Sequence, residues 1–116
     1  MRVNIAELYP VEKGVIRAVV DRYCKEYDRN KKFAKLPTVA NIDGCWVVSD
    51  GNHRVYAAKS LGAESLDVRD ATPLATDTAQ MASLRQALAD AKSANQSGFE
   101  NMTVFNSGTD RMNQYI

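Results

Sequence analysis

The residues best suited to chemistry stand together where an apolar run ends. The run Trp46–Ser49 is followed directly by Asp50-Gly51-Asn52-His53-Arg54. The first N–H groups of a helix lack intrahelical acceptors and lie at the positive end of its dipole. A glycine lets a ligand approach the backbone closely, and an arginine fork can bind two phosphate oxygens. A strand, a glycine turn and a helix opening on these residues therefore predict an anion site suited to phosphate.

Each residue of this segment also has a purely structural interpretation. The Asp50-Gly51 pair could be a simple turn, and Asn52 could be only an N-cap. His53 could be an ordinary core or surface residue. Arg54 could pair with an acidic side chain elsewhere, for which Glu26 and Asp67 are candidates. The clustering of polar groups and a glycine at one strand–helix junction is what favours phosphate binding.

Two strands and a helix are expected to position this segment. Residues 36–42 and 45–49 read as strands, and Asp43-Gly44 between them is a two-residue hairpin signal. A helix over 52–61 follows, with Gly62 where a left-handed C-terminal residue is expected.

Upstream, the apolar pattern changes from a strand period to a helix period. Val3 and Ile5 alternate with polar or small residues and predict a strand that ends before Leu8. Spacings of three and four then predict an amphipathic helix over about 11–28. Its apolar face comprises Val15, Ile16, Val19, Val20, Tyr23 and Tyr27.

Downstream, the pattern predicts one more strand and a long helix. Residues 65–69 alternate as a strand does. Thr72-Pro73 resembles an N-cap with a first-turn proline, so the helix is expected to run from there to about Ala94. Its apolar stripe comprises Leu74, Met81, Leu84, Leu88 and Ala91. Residues 99–116 leave open an edge strand, a docked segment or a frayed end.

Length and composition limit the class of protein. A chain of 116 residues allows one ordinary domain. With 45% hydrophobic and 25% charged residues, it is neither a disordered nor a membrane-like chain. It contains no run of about 18 apolar residues and opens without a secretory h-region. We therefore expect a cytoplasmic protein that contacts no membrane.

The net charge of +1 conceals an asymmetry between the two halves. Residues 1–58 carry ten basic and seven acidic side chains, whereas residues 59–116 carry five and seven. Such an excess predicts either a DNA-backbone contact patch or a solvated helix end and loop. A pI near 7.7 gives no general electrostatic case for nucleic acid. The basic residues concerned are Arg22, Lys25, Arg29, Lys31, Lys32 and Lys35.

The ordered spacing of the central segment resembles the core motif of the ParB/sulfiredoxin-like superfamily. The matching pattern is Asp50-Gly51-Asn52-His53-Arg54-x-x-Ala57-Ala58-x-x-Leu61-Gly62. It is most similar to the Asp-Gly-x-His-Arg members such as free-serine kinases. The resemblance covers about residues 1–70 and implies an α/β (α+β) fold, a small mixed sheet flanked by helices. Residues 71–116 would add a helix and tail packed on this core within a single domain.

Departures from the motif narrow the activities that the resemblance implies. Sulfiredoxins place a catalytic cysteine immediately before the His-Arg pair, where this chain has Asn52. ParB proteins hold CTP phosphates with a Gly-x-x-Arg element, which Gly51 and Arg54 match. Free-serine kinases carry a catalytic glutamate after a Leu-x-Pro segment. The similar run Leu8–Glu12 makes Glu12 the matching position.

The resemblance therefore implies a domain that binds a nucleotide phosphate and hydrolyses or transfers it. Its cofactor would be a nucleoside triphosphate or diphosphate with Mg²⁺. Glu12 and His53 would be the catalytic residues, although Glu12 could equally be a helix-start carboxylate. The nucleotide would be bound by Asp50, Gly51, Asn52, His53 and Arg54. The alternatives are a ParB-like nuclease or nucleotide-gated DNA binder, of the kind found on plasmids and phages, and a catalytically degenerate interaction protein.

Overall fold

Residues 1–106 are described by the computed structural model of the protein, and they form a mixed α/β fold. In this range the helices α1, α2 and α3 cover Arg17–Asn30, Asn52–Ser60 and Thr78–Ser93. Short 3-10 turns lie at Ile5–Glu7 and Ser97–Phe99. Strands β1 to β8 cover Arg2–Asn4, Leu8–Pro10, Gly14–Ile16, Thr38–Ile42, Cys45–Asp50, Ser65–Asp67, Arg69–Asp70 and Thr103–Phe105. The fold class predicted from the sequence is confirmed.

The hairpin of β4 and β5 forms the centre of a four-stranded sheet with the order β2-β5-β4-β7. Asp43 and Gly44 both have positive φ, 51° and 87°, so the predicted two-residue turn is confirmed. Strand β2 runs parallel to β5 and β7 runs parallel to β4. Two small ladders complete the strand pairing, β1 antiparallel to β6 and β3 parallel to β8.

The sheet buries apolar side chains on both faces, because successive residues of a strand point to opposite sides. Val48 belongs to the cluster that includes residues of α1 and α2, together with Leu8 and Val39. Its neighbour Val47 packs instead with the α3 residues Leu84 and Leu88. Helix α3 therefore covers the sheet face opposite α1 and α2.

The first helix begins at Arg17, so the prediction that it starts near Val11 is wrong. Residues 14–16 form β3, in which Val15 pairs with Val104 of β8. A side chain on Gly14 would overlap the Phe105 ring and the Thr103 carbonyl, so the ladder needs a glycine there. The apolar spacing fitted a helix, but the strand partner lies almost ninety residues away.

The segment before β3 also differs from its prediction. The first strand ends before Leu8 as predicted, but Ile5 lies in a 3-10 turn at Ile5–Glu7, and the sequence pattern did not predict the strand β2 that follows. Glu12 consequently lies in the loop between β2 and β3 and not at a helix start. This connection, residues 11–13, is called the Glu12 loop below.

The last helix begins later than the Thr72-Pro73 pair predicted. Asp77 is its N-cap, with a side chain that accepts the Gln80 N–H at 3.2 Å. Thr72 instead donates two hydrogen bonds to Asp70, side chain and backbone, which lower the pKa of that carboxyl. Leu74 is 77% exposed and does not belong to the apolar stripe.

The predicted strand over 65–69 is divided in two at Val68. Its first part, β6, pairs with β1, and its second part, β7, joins the main sheet. Further on, the chain supplies the edge strand β8, one of the alternatives left open by the sequence, while residues 107–116 of that tail lie outside the described residues. None of the described helices is long and apolar enough to cross a membrane.

Candidate functional site

The junction between β5 and α2 turns sharply at Gly51. Its φ of +95° lies in the left-handed region that glycine adopts without strain. A Cβ at this position would lie 2.6 Å from Arg54 Nη1 and 3.0 Å from Pro37. Gly51 is therefore required both for the turn and for the room that the Arg54 guanidinium occupies.

A small polar cavity lies at this junction, with a volume of about 150 Å³. It is smaller than the pockets of about 300 Å³ or more that enclose drug-sized ligands, so it suits a phosphate group better than a whole nucleotide. All six site residues predicted from the sequence line it. The lining comprises Val11, Glu12, Val19, Tyr23, Ser49, Asp50, Gly51, Asn52, His53 and Arg54.

Arg54 is a buried cation at the wall of this cavity, only 8% exposed. Its guanidinium carbon lies 5.3 Å from the centre of the Tyr23 ring, within the range of a cation–π contact. Its Nη1 is buried and makes no hydrogen bond among the described residues. A buried donor without an acceptor is unfavourable by about 1–3 kcal/mol, more when charged. An anion in the cavity would supply the acceptor.

The ion pairs considered for Arg54 from the sequence do not form. Asp67 pairs with Arg2 at 3.3 Å. Glu26 accepts the Ala34 N–H through Oε1 at 3.3 Å. The structural interpretation of Arg54 as a partner of either carboxylate is therefore wrong.

Asn52 serves the scaffold of the site through its side chain. The residue is 4% exposed, and its Oδ1 accepts the Val11 N–H at 3.1 Å. Its Nδ2 donates to the Val48 carbonyl at 3.3 Å. Gly51 is the N-cap of α2, so the interpretation of Asn52 as the cap is wrong. The Asn52 Oδ1 and one of the two Nδ2 hydrogens are thus used by backbone partners, so the side chain holds the scaffold while the backbone N–H lies in the first turn of α2.

His53 has a defined protonation pattern in this structure. Its Nε2 accepts the Ile16 N–H at 3.0 Å, and a nitrogen that accepts cannot carry a proton. The ring is therefore neutral, with its proton on Nδ1. His53 can serve as a hydrogen-bond donor through Nδ1, whereas Nε2 is committed to β3.

The two carboxylates of the site differ in environment. Glu12 is half-buried in the Glu12 loop, whereas Asp50 is exposed and lies 3.4 Å from Lys35 Nζ. Within residues 1–106, no cluster of three or more histidine, cysteine, aspartate or glutamate side chains could hold a metal ion. Mg²⁺ commonly uses one or two carboxylates together with substrate phosphates. Glu12 and Asp50 are the two carboxylates that line the cavity.

No thiol lines the cavity. Asn52 is the position at which the sequence resemblance would place a sulfiredoxin cysteine, and the Cys24 Sγ donates to the Ala57 carbonyl at 3.8 Å between α1 and α2. Burial raises the pKa of the Cys24 thiol, and nearby Asp21 and Asp28 raise it further. A thiol of this kind is protonated at neutral pH and is a poor nucleophile.

The six basic residues predicted as a DNA patch are distributed over α1 and the loop that follows it. Arg22, Lys25 and Arg29 are spaced three and four apart on α1, so they lie along one side of the helix. Lys31 pairs with Asp28 at 3.4 Å. Lys35, through its pair with Asp50, brings this basic surface to the edge of the cavity.

One cavity residue had no functional signal in the sequence. Tyr23 fitted the apolar face of α1 and was expected in the core. It does pack edge-on against Phe33, with ring centres 6.0 Å apart, but it also lines the cavity against Arg54. Only the tertiary approach of α1 to α2 reveals this second contact.

Comparison with known proteins identifies a shared fold. No family model matches the chain, and no curated protein matches it. Among solved structures, a glutamate-to-glutamine mutant of free serine kinase in complex with AMP aligns over 66% of this chain, at 16% identity and a TM-score of 0.59. The chain shares its fold with a free serine kinase.

Two further solved structures share this fold. A conserved hypothetical protein from Pyrococcus furiosus aligns over 62% of this chain at 18% identity, with a TM-score of 0.56. The protein Atu1540 from Agrobacterium tumefaciens aligns over 76% at 21% identity, with a TM-score of 0.51. The present chain spans 32% of the kinase and of the Pyrococcus protein and 48% of Atu1540.

Proposed function

We propose that the protein binds the phosphate groups of a nucleotide in the cavity at the β5–α2 junction and hydrolyses or transfers a phosphoryl group there. The observation that carries this proposal is the buried Arg54 Nη1, which makes no hydrogen bond among the described residues and lies beside Gly51. The first N–H groups of α2, a helix of nine residues, lie at the same place. A phosphate would accept hydrogen bonds from both.

The cavity is large enough for only one part of a nucleotide. About 150 Å³ accommodates phosphate groups, so the nucleoside would lie outside, against the surface of α1 or the Glu12 loop. That a structural neighbour was solved with AMP supports a nucleotide over free phosphate. The residues that line the cavity do not indicate which base the nucleotide carries.

The proposed chemistry assigns a role to each polar group. Glu12 accepts a proton from a water or an acceptor hydroxyl, whose oxygen forms the new bond to phosphorus. The bond from phosphorus to the leaving phosphate oxygen breaks. Arg54 and the N–H groups of α2 stabilise the charge on the phosphoryl oxygens, and His53 donates from Nδ1. Mg²⁺ bound to the nucleotide would neutralise charge, and Asp50, an exposed carboxylate that lines the cavity, would assist.

A thermal-shift series that varies only the phosphate groups tests the proposal. Adenosine, AMP, ADP and ATP are compared with and without Mg²⁺, together with CTP, GTP, pyrophosphate and inorganic phosphate. A ligand at about 100 times its Kd stabilises the folded state by about 2.7 kcal/mol. We expect ADP or ATP to stabilise and adenosine not to. A folded protein that responds to no phosphate compound would contradict the proposal and favour a DNA-binding module or an interaction protein.

The arrangement of basic residues supports a second candidate, binding of DNA along α1. Arg22, Lys25 and Arg29 form one stripe, and Lys35 connects the basic surface to Asp50 at the cavity. A phosphodiester backbone lying on the stripe could place one phosphate near Arg54. The same site would then serve a nuclease or a nucleotide-gated DNA binder.

A further inference from the structure

Gln96, just beyond the end of α3, is a buried polar residue far from the cavity in sequence. It is 5% exposed, and its Nε2 donates to the Lys13 carbonyl at 3.0 Å and to the Asn101 carbonyl at 3.4 Å. Its own backbone N–H donates to the Ala91 carbonyl of α3 at 2.9 Å. Gln96 thus joins the end of α3 to the residue that follows Glu12.

The Glu12 loop is held from this side by a second hydrogen bond. The Thr103 N–H donates to the same Lys13 carbonyl at 3.3 Å, and β8 then pairs with β3 through Val15 and Val104. A carbonyl oxygen has two lone pairs, and both are used here. The C-terminal segment therefore fixes the backbone on the far side of Glu12 from α2.

The opposite side of the loop is held by the first turn of α2. Asn52 accepts the Val11 N–H, and His53 accepts the Ile16 N–H. Hydrogen bonds therefore hold the backbone of residues 11–16 to α2 on one side and to Gln96 and β8 on the other. Only the second set comes from residues beyond the segment that resembles the superfamily core.

We infer that Gln96 is a positioning residue, which holds the Glu12 loop at the distance from Arg54 that phosphoryl transfer needs. This inference rests on the proposed function of the site. Gln96 does not line the cavity, so its loss would leave the phosphate-binding groups in place. Misplacement of a reacting group by about 1 Å can lower turnover by about 100-fold.

The test compares Gln96→Met with Gln86→Met in the full chain. Methionine keeps the approximate volume and removes both donors, and Gln86 is an exposed α3 residue whose side chain donates to Asp90 on the same helix. Phosphate release from MgATP, the Kd for ATP and amide hydrogen exchange are measured on both. For Gln96→Met we expect turnover to fall about 10- to 100-fold with the Kd within about twofold. Exchange should rise in residues 11–16 and not in the 38–50 hairpin.

Hydrogen exchange in residues 11–16 and the Kd for ATP together test the role of Gln96. Unchanged exchange in residues 11–16, or a Kd that weakens in step with turnover, would overturn it. If Gln96→Met does not fold, Gln96→Asn keeps a buried amide but shortens the side chain by one methylene, which withdraws its donor from the Lys13 carbonyl, and its exchange in residues 11–16 decides. If the unmodified protein neither binds nor hydrolyses ATP, the proposed function fails, whereas the exchange experiment still shows whether Gln96 holds the loop.

Discussion

Asn52 and Val11 are joined across the candidate site, since the Asn52 Oδ1 accepts the Val11 N–H at 3.1 Å. One residue further along α2, His53 accepts the Ile16 N–H at 3.0 Å. Two consecutive residues of one helical turn therefore hold both ends of the segment that carries Glu12. The same turn carries Arg54, so the folded backbone fixes the carboxylate-bearing loop relative to the buried cation.

Replacing Asn52 with leucine should destabilise the protein clearly. The change removes the Asn52 partner of the half-buried Val11 N–H and of the buried Val48 carbonyl, which corresponds to a loss of about 2–4 kcal/mol. Urea unfolding measures this loss. Asn41→Leu is the control, because the Asn41 Oδ1 also accepts one backbone N–H, that of Gly44, but in an exposed turn. Equal losses in the two variants would show that the Asn52 hydrogen bonds stabilise the protein no more than the single exposed bond of Asn41 does.

Replacing Glu12 with glutamine should separate catalysis from binding. Glutamine keeps the shape and hydrogen bonding but cannot accept the proton, so turnover of the bound nucleotide should fall by about 100-fold or more. The Kd should stay within about twofold, since the phosphate contacts come from Arg54 and α2. Phosphate release and calorimetric titration measure the two quantities.

The control for this experiment is Glu7→Gln, which changes an exposed glutamate in the Ile5–Glu7 turn. It should alter neither quantity. A parallel loss of affinity in Glu12→Gln would indicate a metal or structural role for the carboxylate. Turnover that stays at the level of the unmodified protein would remove Glu12 from the mechanism and leave His53 as the remaining candidate.

Local signals in the sequence were sufficient for the hairpin and for α2. Asp43-Gly44 dictates its turn within four residues, and Gly51 and Gly62, both with positive φ, flank the two ends of α2. The prediction of where α1 starts was wrong because Val15 and Ile16 satisfy a helical period. Their strand partner, β8, is remote in the chain, and no periodicity encodes such a pairing.

The candidate site was also predictable only in part. The sequence identified six of the ten residues that line the cavity, but it could not show what their side chains do there. The Asn52 amide holds backbone groups, and the His53 Nε2 accepts from β3. Tyr23 beside Arg54 and Gln96 behind the Glu12 loop depend on contacts between elements that are distant in the chain.

Gly51→Ala should lower the free energy of unfolding by more than backbone strain alone would. Gly44 has a similar positive φ, +87°, and nothing lies within 4 Å of a Cβ there, whereas a Cβ on Gly51 meets Arg54 and Pro37. Gly44→Ala therefore measures the conformational strain, about 1 kcal/mol or somewhat more. The additional loss in Gly51→Ala, and a weaker Kd for ADP in that variant only, would come from displacing Arg54. Identical effects in the two variants would contradict the close packing at the cavity.

If the basic surface formed by α1 and the loop after it binds DNA, affinity should fall steeply with salt. Each phosphate contact contributes a slope of about −0.9 in log K against log salt. Replacing Lys31 and Lys32 with alanine should therefore flatten the slope by about 1.8, as measured by fluorescence anisotropy with a short duplex. The double variant of the exposed residues Arg69 and Lys92 removes the same charge from other elements and should leave the slope unchanged. Binding that is insensitive to salt, or absent at low salt, would exclude this role.

Arg54→Met gives the sharpest separation between a ligand-binding arginine and a structural one. Methionine retains much of the buried volume, and removal of the guanidinium leaves no carboxylate without its partner, because Arg54 takes part in none of the ion pairs of residues 1–106. The substitution removes the cation–π interaction with Tyr23, worth about 0.5–2 kcal/mol, and the unfavourable buried Nη1 goes with it. Urea unfolding of the ligand-free variant should therefore differ from the unmodified protein by about 1 kcal/mol or less.

Binding should respond in the opposite way to the Arg54 substitution. The thermal shift with ADP or ATP should disappear in Arg54→Met, and Arg54→Lys should restore only part of it, since an ammonium group cannot bind two oxygens as a fork does. Arg85→Met is the matched control, because Arg85 is exposed and pairs with Asp43 at 3.1 Å. A loss of about 3–5 kcal/mol in the ligand-free Arg54→Met variant would indicate a buried ion pair. An unchanged nucleotide shift in the same variant would exclude Arg54 from the phosphate site.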